Sequence, residues 1–128
     1  MLIDENLTDL IIGKAILVHS SLGPGLLESV YETCLAYELT ESGLIVERQK
    51  ILPVRYKNIL LDDGLRMDMV VDNKVVIELK CVEKVMPVHE AQLYTYLKLS
   101  GYKVGILFNF YQLLPVKFLH GVFCVSTV

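Results

Sequence analysis

Little in these 128 residues supports a secreted, membrane-spanning or broadly basic protein. Cysteine is scarce: Cys34, Cys81 and Cys124 are odd in number and lack CxxC spacing, which argues against a zinc ribbon or a disulfide framework. They are expected to serve as small buried hydrophobes. No apolar run approaches the length of a membrane span, so no membrane partner is expected. Met1-Leu2-Ile3-Asp4-Glu5-Asn6 places acid, not base, ahead of any apolar run, which argues against a signal peptide and for a cytoplasmic location. Positive charge is not in surplus either. Twelve Lys and Arg face 15 Asp and Glu, and a net charge of −3 disfavours a general nucleic-acid coat protein. Repeats, linkers and low-complexity segments are absent, so a single domain over residues 1–128 is expected.

Apolar residues are plentiful. They make up 53% of the chain, with a mean hydropathy of +0.47, which is high for a small soluble protein and points to a homo-oligomeric interface.

Charge inside apolar strands is the most informative feature. Arg66-Met67-Asp68-Met69-Val70-Val71 and Val75-Val76-Ile77-Glu78-Leu79-Lys80 read as two buried strands of a hairpin, yet they contain Asp68, Glu78 and Lys80. An unpaired charge in such a setting costs roughly 3 to 5 kcal/mol. Glu78 and Lys80, two apart, share one strand face, with Ile77, Leu79 and Cys81 on the other. A loop with an odd number of residues, Asp72-Asn73-Lys74, sets Val71 against Val75 and Asp68 against Glu78, whereas a two-residue turn separates the carboxylates. Two carboxylates about 4 to 5 Å apart repel by roughly 3 to 4 kcal/mol at an effective dielectric of 20. A hard divalent cation, Mg²⁺ or Mn²⁺, removes that penalty, and a lysine beside it suits phosphodiester hydrolysis. The plainer alternative is a Glu78–Lys80 ion pair at a sheet edge.

Helical spacing predicts a first helix over about residues 5–20, stopped by Leu22-Gly23-Pro24-Gly25, and a second over about 26–42, ended by Gly43. Residues 44–57 read as a strand, 60–64 as a turn, 87–100 as a third helix and 102–108 as a further strand, with one more strand possible in 109–128. On the first strand, interrupted at Pro53, Arg48, Lys50, Arg55 and Lys57 fall in an acid-free stretch. This strip either holds a phosphate backbone or protects a solvated edge strand. Glu28 and Tyr31 share a helix face, and Glu28 lies where the helix dipole favours a carboxylate. His89, Gln92 and Tyr96 form one polar stripe on the third helix.

Gly25-Leu26-Leu27-Glu28-Ser29-Val30-Tyr31 spells G-x-x-E-x-x-Y. Together with His19, Leu22-Gly23-Pro24-Gly25, the Asp68 hairpin and Gln92-x-x-x-Tyr96, it resembles the bacterial and archaeal GxxExxY family, on the RecB-like side of the PD-(D/E)xK nucleases. The resemblance covers about residues 7–109. It implies an α/β (α+β sandwich) fold, a restriction-endonuclease-like αβββαβ core with an extra amino-terminal helix and a mixed central sheet flanked by helices. It implies a nuclease acting on DNA or RNA, with Glu28, Asp68 and Glu78 as metal ligands, Lys80 as the catalytic lysine, and Gln92 and Tyr96 beside the substrate. Tyr31 and His89 are supporting candidates. Met67 stands where the superfamily pattern has proline, and the tail after Asn109 matches no motif. Two other functions fit the same residues: a catalytically silent nuclease-fold module that binds nucleic acid or a partner, and a homo-oligomeric structural protein.

Overall fold

The computed structural model describes residues 4–113 and 118–125. Two helices, α1 (Glu5–Leu22) and α2 (Glu28–Glu41), precede three strands, β1 (Val46–Tyr56), β2 (Ile59–Val71) and β3 (Val75–Lys80). Helix α3 (Pro87–Ser100) and strands β4 (Val104–Asn109) and β5 (Leu119–Cys124) follow. The strands lie in chain order across one sheet, antiparallel except for the parallel β3–β4 pair. That pair needs a crossover, which α3 supplies. Glu78 and Lys80 therefore sit at the carboxyl end of a parallel strand, where open α/β sheets place their ligands.

Two cores sandwich the sheet. Ile11, Ala15 and Val18 of α1 and Tyr31, Leu35 and Leu39 of α2 pack with Met69, Val71, Ile77, Leu79, Ile106 and Phe108 on one face. On the other, Leu93, Tyr96 and Leu97 of α3 meet Met67, Val70, Val76 and Leu107. β3 is buried on both faces, which explains its nearly unbroken apolar sequence. Each fully buried Leu, Ile or Met side chain contributes about 1.5–3 kcal/mol. Among the described residues no helix is long and apolar enough to cross a membrane.

The core order is αβββαβ, preceded by α1 and followed by β5. The segment 60–64, expected to be a turn, is instead part of β2: the chain reverses earlier, at Lys57-Asn58, and Tyr56 pairs with Ile59. Asp62, Asp63 and Gly64 mimic turn composition, but they form a bulge opposite Pro53, where the β1–β2 register shifts. Cysteine is a second correction. Cys34 and Cys81 are partly buried against the α1–α2 core, but Cys124 is exposed at the end of β5. The β2–β3 loop is odd: Val71 faces Val75 across Asp72-Asn73-Lys74, with Asp72 (φ 52°) and Asn73 (φ 54°) both left-handed. Short polar side chains that tolerate this region replace the glycine such loops favour.

Four motif residues are structural. Gly23 (φ 73°) and Gly25 (φ 99°) adopt backbone conformations that other residues resist, in the loop feeding α2. Tyr31, fully buried, donates to Gly23 O at 2.5 Å and accepts from Leu26 N at 3.1 Å, while its ring stacks on Phe110 at 4.4 Å. Buried His19 meets the carbonyls of Phe110 and Gln112 at 3.1 and 2.6 Å. Tyr31→Phe is expected to cost about 1–2 kcal/mol through the lost hydrogen bonds and the unmet Gly23 carbonyl, read as a lowered urea midpoint. An unchanged midpoint would show that the loop needs no clasp.

Candidate active site

The β2–β3 ladder runs through Val71–Val75, Val70–Val76 and Met69–Ile77, and the next opposed pair is Asp68 and Glu78. There the side chains take over from the backbone. Asp68 N donates to Glu78 Oε2 at 2.8 Å, and Leu79 N donates to Asp68 Oδ2 at 2.9 Å. Each carboxylate thus satisfies an amide on the opposite strand, which holds both at the point where the strands part. β2 also changes face here: Met67 packs in the α3 core and Met69, two residues on, in the α1–α2 core.

Across β2, Gln49 lies opposite Asp68, between the Arg48–Met69 and Lys50–Met67 pairs, and has φ 50°. Its amide donates to Glu32 Oε1 at 2.6 Å, and its nearness lowers the Asp68 pKa. Glu32 is ion-paired with Arg48 at 2.9 Å. Gln49 and Glu32 are parts of the site that sequence reasoning missed. Glu32 had a usable signal, its i+4 spacing from Glu28. Gln49 had none, because it reaches Asp68 through the β1–β2 register.

Electrostatics joins the acids. Glu78 is almost wholly buried, and its carboxyl is pushed up to about 8, first by burial and then by the charge of Asp68. Asp68 is also raised, chiefly by burial, against the lowering effects of the Leu79 amide and Lys80. Glu28, at the first turn of α2, is exposed at the rim, yet its carboxyl is raised by the protein packed around it and then by Asp68. Lys80 lowers the pKa of all three. Among the described residues its ammonium makes no ion pair or hydrogen bond, so it does not form the edge ion pair with Glu78.

The polar stripe of α3 divides. Tyr96 is buried, and its hydroxyl is pushed up to about 12 by burial and then by the charges of Glu78 and Asp68, so it keeps its proton beside the acids. Gln92 is exposed and lines a cavity of about 490 Å³ with Leu65, His89 and Tyr96. His89 Nδ1 accepts from Met86 N at 2.9 Å, an amino-terminal cap for α3. Its pKa is lowered by burial and then by Lys80. Tyr31 spends its hydroxyl on the loop before Glu28. The basic strip is split as well, since Arg48 is tied to Glu32 and Lys50 to Glu47.

Buried Asn109 had no recognisable signal in sequence. Its amide donates to Val82 O at 2.8 Å and accepts from Val82 N at 3.2 Å, clasping the chain just after Lys80. A larger cavity, about 1010 Å³, lies on that side between Glu83, Lys84, Gln112 and His120, away from the carboxylates.

The acids present only oxygen donors, which suit Mg²⁺ or Mn²⁺. Their pKa values are raised first by burial and then by one another's negative charge, and a bound cation offsets both. Among the described residues no three His, Cys, Asp or Glu side chains converge as a ready-made metal cage. The donor chemistry therefore fits an ion that keeps much of its shell from water and substrate, as Mg²⁺ does.

Among known protein families, a model described as the PD-(D/E)XK nuclease superfamily matches residues 5–119. No curated protein and no solved structure matches the chain.

Proposed function

The chain belongs to the PD-(D/E)XK nuclease superfamily, and we propose that it hydrolyses phosphodiester bonds in DNA or RNA with the help of Mg²⁺ or Mn²⁺. The observation that carries this reading is the opposed Asp68–Glu78 pair, locked by reciprocal backbone hydrogen bonds, with the unpaired Lys80 two residues beyond Glu78.

Asp68 and Glu78 would hold the cation, with Glu28 contributing from the rim. Bound there, the cation would acidify an attacking water and offset charge on the reacting phosphate. The protein's own groups do the rest. The Leu79 and Asp68 amides fix the two carboxylates. Lys80 brings a positive charge to orient water or bind a phosphate oxygen. Tyr96 offers a hydroxyl that stays protonated, and Gln92 lies along the cavity where substrate would extend.

The same hydrogen bonds favour a second reading, a silent nuclease-fold module, because they satisfy both acids without an ion. One assay separates the two. Purified protein and Glu78→Gln are compared on single- and double-stranded DNA and RNA, with Mg²⁺, Mn²⁺ or chelator. Cation-dependent cutting by the wild type, lowered at least about 100-fold in Glu78→Gln, is expected. Binding without cutting under every condition would assign the silent module.

A further inference from the structure

Beyond Asp68 the sheet narrows to a two-stranded ribbon. β3 pairs with β2 over Met69–Val71, so among the described residues the outer half of β2, from Ile59 to Met67, has β1 as its only partner strand. An isolated two-stranded ribbon is marginally stable in water, yet this one carries exposed Ile51, Tyr56, Ile59, Leu60 and Leu61.

Its two faces differ. Leu52 and Leu65 pack toward the α3 core, and Lys50, Leu52 and Val54 are partly buried while Ile51, Pro53 and Arg55 between them are exposed. By strand alternation, Arg66, paired with Ile51, and Arg55, paired with Leu60, lie on the opposite face. That face is the one bearing Gln49 and Asp68, toward α2. Lys57 stands in the turn at the tip, its ammonium 5.4 Å from the Tyr56 ring centroid. Counted outward from Asp68 at about 3.3 Å per residue, Arg66, Arg55 and Lys57 fall near 7, 20 and 26 Å.

These cations differ from the inner pair. Arg48 and Lys50 are neutralised by Glu32 and Glu47, whereas Arg55, Lys57 and Arg66 have no ion pair among the described residues. The acids of the ribbon, Asp62 and Asp63, fall in the bulged stretch opposite Pro53.

We propose that the β1–β2 ribbon is a nucleic-acid arm, with Arg66, Arg55 and Lys57 lying along the phosphate backbone of a duplex that extends from the Asp68–Glu78 site. The proposal rests on the nuclease reading for the polymer it names. A row of cations that make no ion pair among the described residues and that leads outward from the acid site matches a polyanion, which carries one charge per about 1.7 Å of duplex axis. The reach, at most about 30 Å from Asp68 to the tip at Ile59, corresponds to about nine base pairs.

The test is fluorescence anisotropy on DNA and RNA duplexes of increasing length, in chelator and over a NaCl series. Wild type is compared with R55A/K57A/R66A and with the charge-preserving R55K/R66K. Wild-type affinity should rise with duplex length until the arm is covered. The triple variant should bind at least tenfold more weakly, and its slope of log K against log[salt] should be shallower by about 2 to 3. R55K/R66K should keep the wild-type slope. All three positions are exposed, so the variants should melt as wild type does. A triple variant with wild-type affinity and slope overturns the arm and leaves the nuclease reading standing. Weakened binding together with a wild type that cuts nothing supports the arm and removes the nuclease reading. A wild-type dimer that the triple variant turns into monomer, with nucleic-acid affinity unchanged, assigns the face to a second copy and overturns the proposal.

Discussion

Lys80→Ala is expected to lower the cleavage rate at saturating substrate at least about 100-fold, the scale of losing one electrostatic donor at a reacting centre, while the fold survives. The reason lies in how little else the side chain does. Its ammonium is half-buried and makes no ion pair or hydrogen bond among the described residues, so truncation leaves no partner unmet. The melting temperature should move by no more than about 4 °C. What is lost is the positive charge that lowers the pKa of Glu28, Asp68 and Glu78. Those carboxyls should therefore bind protons more tightly, and the residual activity should shift to higher pH. Lys80→Arg keeps the charge and should retain the wild-type profile at reduced rate. Equal rates for wild type and Lys80→Ala from parallel preparations would mean that another protein does the cutting.

A second large effect concerns pH and the cation-free protein. Glu78 has an ordinary value of 4.5 and is pushed up to about 8 in the fold by burial and by Asp68. Below about 4.5 both folded and unfolded chains hold this proton, and its contribution to stability is fully present. Between about 4.5 and 8 the unfolded chain releases it while the folded chain keeps it, so the folded state binds more protons and stability falls as pH rises. The loss by pH 8 is of the order of a few kcal/mol, since each pKa unit is worth about 1.4 kcal/mol and the acid pair shares the effect. Glu78→Gln keeps an oxygen for the Asp68 amide and removes the titration. Its melting temperature should stay flatter across this range and exceed that of wild type at pH 8. Adding Mn²⁺ at pH 8 should stabilise wild type and not Glu78→Gln, because a ligand that binds only the folded chain raises its stability. Parallel melting curves for the two proteins from pH 5 to 8 would sink this account of the acid pair.

The legibility of the molecule varied with the range of the interaction. The helices expected over about residues 5–20 and 87–100 were readable because 3.6-residue periodicity and Gly or Pro stops are local, and the first runs on to Leu22. β3 was readable because a strand buried on both faces is written as Val-Val-Ile-x-Leu. Segment 60–64 misled, since Asp-Asp-Gly serves a bulge as readily as a turn, and only the pairing of Tyr56 with Ile59 shows where the chain reverses. His19 and Tyr31 stood out as motif residues with no means of telling chemistry from support. Their partners, Phe110, Gln112 and Gly23, show that they fasten loops.

By itself, the sequence determined the helices, the two buried strands of the hairpin and the presence of two acids and a lysine within them, since periodicity and alternation act over a few residues. That the loop is odd, so that Asp68 opposes Glu78, was decided by the strand register. The tertiary structure alone decided that the acids cap each other's strands, that Gln49 and Glu32 join them, that Lys80 stays unpaired, and that cations continue outward along a ribbon. Those outcomes depend on register between segments far apart in the chain and on burial, and both arise only when the sheet and the helices close on one another.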